Sequence, residues 1–68
     1  MNKGQTVLFH TLEEFAEDNN YSITEHGNHT VGESFAVLKH NDKDLTVSFV
    51  LVGANSNGYL YECVYSDI

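Results

Sequence analysis

The sequence predicts a small α+β domain, with one short N-terminal helix packed on a three- to four-stranded antiparallel β-meander. Three observations carry that expectation. Beyond residue 20, apolar residues recur at every second position in successive runs separated by polar turns, which is the period of a strand. Before residue 20, Leu8, Leu12, Phe15 and Ala16 fall at helical spacing. The chain of 68 residues is 41% hydrophobic, with four Tyr and four Phe, a composition that supports a real core and not disorder. It shows no internal repeat, Pro/Ser-rich linker or low-complexity tract, so residues 1–68 are read as a single domain.

The helix comes first. Thr11-Leu12-Glu13-Glu14 matches a capping box, in which the Thr11 hydroxyl accepts from the Glu14 backbone N–H while the Glu14 side chain reaches back. A helix from residue 11 or 12 to 19 follows, with Asn19-Asn20 as the stop. That start places Glu13, Glu14, Glu17 and Asp18 in or near the first two turns, where the helix dipole favours acids. A start at Thr6 would push them toward the C-terminal end, where it does not. Val7-Leu8-Phe9 is then a short strand or an extended lead-in.

Strands fill the remainder. Tyr21, Ile23 and Glu25 begin an alternation that stops at the turn pair Gly27-Asn28. Phe35, Val37 and Lys39 alternate with Ala36, Leu38 and His40 up to Asn41-Asp42-Lys43-Asp44, which reads as a hairpin connection. Leu45 to Val52 is the clearest strand, with Leu45, Val47, Phe49 and Leu51 on one face. Val50 and Val52 make its far end apolar on both faces, which suits a central position. Gly53 to Gly58 reads as a loop. Tyr59 to Ser66 closes the chain, with Tyr59, Tyr61, Cys63 and Tyr65 on one side.

Charge narrows the function. Ten acidic residues against Lys3, Lys39 and Lys43 give a formal net charge of −7. Direct binding to nucleic acid or to an anionic membrane is disfavoured, because phosphate contacts need Lys and Arg. No apolar run approaches a signal-peptide core or a membrane span. Cys63 is the only cysteine, so no disulfide forms within the chain, and a lone thiol fits a reducing, cytoplasmic compartment.

No constellation reads as a catalytic or cofactor site, and no enzyme activity, cofactor or metal is expected. His26 and His29 flank a turn near Glu25 and Glu33, but no helix fixes the two rings on one face. Cys63 sits in mid-strand, where a free cysteine is usually a small buried hydrophobe and not a nucleophile. Glu13/Glu17 and Glu14/Asp18 are like-charge i,i+4 pairs that repel by a few tenths of a kcal/mol each. The loop from Gly53 to Gly58 lacks the Lys and the helix of a phosphate-binding loop.

What remains is recognition. The expected function is a non-enzymatic protein-binding module, an inhibitor or modulator of another protein that presents a basic surface. Its candidate docking residues are the helix acids Glu13, Glu14, Glu17 and Asp18, and the strand tyrosines Tyr59, Tyr61 and Tyr65, since Tyr is enriched at interfaces. Imitation of nucleic acid is a special form of the acidic reading. An even spread of the net charge would give about one charge per 600 Å², against about one per 100 Å² on duplex DNA. Mimicry therefore requires the acids to gather on one face. The alternative is a self-assembling structural domain that forms a homodimer through strand edges.

Overall fold

Residues 1–27 and 30–67 are described by a computed structural model of the chain. Asn28, His29 and Ile68 lie outside the described residues, and with them part of the expected Gly27-Asn28 turn. The elements are β1 (Thr6–Leu8), α1 (Phe9–Asn19), β2 (Tyr21–His26), β3 (Phe35–His40), β4 (Thr46–Asn55) and β5 (Gly58–Ser66). The fold is α+β, with α1 on one face of a five-stranded antiparallel sheet ordered β1-β5-β4-β3-β2. The sheet thus has five strands, not the expected three or four. Val7 and Leu8 belong to β1, which pairs with β5 in the register Thr6↔Glu62, Val7↔Tyr61 and Leu8↔Leu60.

This order explains why a helix is needed. β1 and β2 occupy opposite edges of the sheet, so the chain must cross it between them. Eleven helical residues rise about 16 Å. Five strands spaced about 4.8 Å apart place their outer members about 19 Å from each other. α1 covers that distance while burying Leu12 and Ala16 against Ala36, Leu38, Val47, Phe49, Leu51, Tyr61 and Cys63. Val47, Phe49 and Leu51 face the helix from the central strand β4, as their alternation predicts.

The helix begins earlier than the capping box suggests. Its N-cap is Leu8, in extended conformation and with no side-chain cap, and Thr11 already lies inside the first turn. The register of β1 dictates this start. Leu8 is still paired with Leu60, and the next residue, Phe9, packs its ring 5.6 Å from that of Tyr61 and 4.6 Å from that of His26. Leu8 therefore belongs to the sheet and does not extend the helix stripe upstream. At the other end the Asn19-Asn20 stop holds. Asn20 adopts the left-handed conformation (φ 63°, ψ 42°) and its N–H donates to the Ala16 carbonyl. Its carbonyl accepts from the Asn41 N–H at 2.9 Å, and its side chain bonds both Asn41 and Asp42, which ties the helix end to the β3–β4 turn. His40 Nδ1 accepts from the backbone N–H groups of Asp42 and Lys43 and closes the same turn.

Three residues interrupt the ladders and reset which side chains face the helix. Thr24 is the extra residue between Ile23↔Leu38 and Glu25↔Val37, so Glu25 leaves the face of Tyr21 and Ile23. Val52 separates Leu51↔Tyr61 from Gly53↔Leu60, and Val64 separates Phe49↔Cys63 from Ser48↔Tyr65. With that bulge β4 runs on to Asn55, and the expected loop from Gly53 to Gly58 shrinks to a two-residue turn at Ser56-Asn57.

Candidate functional site

A helix turns about 100° per residue. Glu13, Glu14, Glu17 and Asp18 therefore fall within an arc of about 140°, centred opposite Leu12 and Ala16. All four are exposed, and none is engaged by a hydrogen bond or ion pair among the described residues. Their axial placement differs from expectation. Because α1 starts at Phe9, no acid lies in its first turn; because it ends at Asn19, Glu17 and Asp18 fall near its C-terminal end, where no basic residue balances them. The helix dipole disfavours them there, so their placement costs stability. Four of the ten acids thus share the outer side of α1, while Glu25 and Glu62 lie on the opposite face of the sheet.

The strand tyrosines do not share a face. Tyr61 is fully buried beneath α1, while Tyr59 is 39% and Tyr65 51% exposed. Up to Cys63 the strand keeps its alternation, and the bulge at Val64 then turns Tyr65 to the opposite face, level with Ser48. The Tyr65 hydroxyl donates to Asp67, and that bond, with the nearby charge, raises its pKa. Tyr61 has its pKa raised by burial first and by Tyr59 second, and its hydroxyl has no hydrogen-bond partner among the described residues. The three tyrosines therefore do not form one exposed surface.

Cys63 is also fully buried, and its Sγ lies 3.4 Å from the Tyr65 carbonyl. Burial pushes its pKa up, which keeps it in the unreactive thiol form. The His26 ring stacks on Phe9, and His29 lies outside the described residues. Among the described residues, no three His, Cys, Asp or Glu side chains are placed to hold a metal. A shallow cleft of about 410 Å³ opens where the helix ends, lined by Met1, Phe15, Asn19, Tyr21, His40, Lys43 and Leu45. None of the acids or tyrosines singled out in the sequence lines it.

Sequence reasoning missed the second face of the sheet. α1 covers only one side, and on the other Phe35, Val37, Val50 and Leu60 line up across β3, β4 and β5. Strand alternation carried the signal for Phe35, Val37 and Val50, but only the sheet order reveals that no helix or second sheet among the described residues lies over them. Among the described residues, no helix is long and apolar enough to cross a membrane. No protein-family model matches the chain, and no curated protein or solved structure is significantly similar to it.

Proposed function

We propose that this chain is a non-enzymatic protein-binding module that docks through Glu13, Glu14, Glu17 and Asp18 onto a basic surface of another protein, which it inhibits or modulates. The observation that carries this reading is the placement of four exposed carboxylates on the outer arc of α1. Two of them stand where the helix dipole penalises them, so helix stability does not account for their presence. Over five residue steps, about 7.5 Å of helix, the four supply about one charge per 2 Å. Duplex DNA carries one per about 1.7 Å. The local density thus matches a short run of phosphates, although over less than two helical turns. A lone buried thiol is compatible with a cytoplasmic setting.

Affinity capture from a native lysate, followed by mass spectrometry, would identify the partner. Association would then be timed as a function of salt. At low salt, Glu17→Gln combined with Asp18→Asn is expected to slow association several-fold, and raising salt should slow the parent likewise as screening shortens to about 3 Å at 1 M. The same pair should stabilise the isolated domain by about 0.3–1 kcal/mol, since it removes charge from the helix C-terminus. An unchanged on-rate at low salt overturns the acidic-face reading.

A further inference from the structure

We propose that the uncovered face of the sheet binds the same face of a second copy of this chain, giving a twofold dimer with two sheets inside and two acidic helices outside. The face is apolar where it matters. Phe35 stands directly across from Val50, Val37 and Tyr65 flank Ser48 in the next row, and Leu8 pairs with Leu60 on the β1 side. Phe35 is 46% exposed and Tyr65 51%, while Leu8, Val37, Val50 and Leu60 are half-buried.

The helix acids lie away from this face. Of ten acids, Glu62 lies on this face across from Val50, Asp67 sits at its β5 end bonded to the Tyr65 hydroxyl, and Glu25 lies at its β2 margin, with Lys39 on β3 as the cation of the same face. The helix acids are on the far side of each copy. Layers spaced about 10 Å apart would separate the two helices by about 30 Å, several Debye lengths at physiological salt. The helix acids therefore do not oppose this arrangement, as they would oppose helix-to-helix contact, and Glu62 is the carboxylate it brings nearest the contact.

Size and topology favour the face over the edge. The molecule measures 33 × 20 × 19 Å, and β4 with ten residues and β5 with nine run its length. A face of that length and breadth projects to roughly 600 Å², somewhat below the roughly 800 Å² that each partner of a standard interface buries. Edge pairing has little to offer by comparison. β1 presents three residues, and the β2 ladder is broken at Thr24. A second sheet packed face to face about 10 Å away would instead bury the apolar rows of both copies.

The test is the solution mass of the full chain, by sedimentation equilibrium from micromolar to millimolar concentration. The parent is expected at twice 7.6 kDa in the upper part of that range. Phe35→Lys and Phe35→Glu are each expected to weaken the dimer by ~100-fold or more, because both place paired like charges in a desolvated centre. Far-ultraviolet circular dichroism should stay unchanged. Glu17→Gln with Asp18→Asn should leave the dimer intact. If the Phe35 variants do not fold, a mixed sample of labelled and unlabelled parent replaces them, and intermolecular Overhauser contacts between Phe35 and Val50 are expected. A parent that stays monomeric at 1 mM overturns the proposal and leaves the face to a different protein. A dimer that survives both Phe35 variants overturns it too, as does a dimer whose new amide protection lies on β1 or β2.

Discussion

Replacing Tyr61 with Phe should make this domain more stable, and the reason lies in a single oxygen atom. Tyr61 is fully buried, between Val7 of β1 and Leu51 of β4 and against the ring of Phe9. Its hydroxyl has no hydrogen-bond partner among the described residues. A buried hydroxyl left without a partner costs about 1–3 kcal/mol of desolvation. Phe keeps the ring and gives up only the oxygen. The void left is on the order of 10 Å³, which at about 24 cal/mol per Å³ returns roughly 0.2 kcal/mol of that benefit. The net expectation is a gain of about 1 kcal/mol or more. In urea the midpoint should rise by up to about 1 M at unchanged slope, and the melting temperature by about 4–8 °C per kcal/mol. A Tyr61→Phe protein that loses 1 kcal/mol or more would mean that the hydroxyl is bonded in solution, and the packing described around it would be refuted.

Phe49→Ala should cost about 3–5 kcal/mol, much of what a domain this small possesses, because Phe49 is fully buried in the central strand. A thermal melt only a few degrees below the parent would remove Phe49 from the core. Asn20→Ala should cost about 1–2 kcal/mol by replacing Asn, which tolerates the left-handed region, with a residue that tolerates it less, while breaking the bonds to Asn41 and Asp42. Asn20→Gly, which relieves the backbone but not the lost bonds, should cost less, and equal losses in chemical denaturation would show that the backbone conformation contributes nothing. Tyr61 and Cys63 both have pKa values raised by burial above the ordinary 10.0 and 9.0, so the folded state holds protons that the unfolded state releases. Their contribution is complete below pH 9 and is lost as pH rises through the ordinary thiol and phenol values toward the folded ones. Denaturation followed from pH 8 to 11 should therefore show falling stability. A flat profile would contradict the burial of both groups.

The sequence by itself determined the elements whose signal is local. β4 announces its buried face through Val47, Phe49 and Leu51, the helix ends where Asn19-Asn20 offers a residue tolerant of the left-handed conformation, and Asn41 to Asp44 turn the chain. The exposure of Glu13, Glu14, Glu17 and Asp18 also follows from helical period alone, because Leu12 and Ala16 claim the opposite side.

Tertiary structure decided the rest. Thr11 and Glu14 carry a capping signal, yet pairing of β1 with β5 and the packing of Phe9 on Tyr61 start the helix two residues earlier. That shift moves Glu13 and Glu14 out of the favourable first turn, while Glu17 and Asp18 stand close to the unfavourable end, which the Asn19-Asn20 stop sets. The faces of β5 were equally beyond local reading. Tyr59, Tyr61, Cys63 and Tyr65 alternate without a break, and Val64 is as strand-prone as its neighbours, so nothing in the residues marks it as a bulge. The register against Ser48 and Phe49 is what inserts the extra residue, turning Tyr65 outward while Tyr61 stays in the core. Side chains alternate with a period of two, so one unpaired residue inverts every face beyond it, and only the partner strand determines where that residue falls.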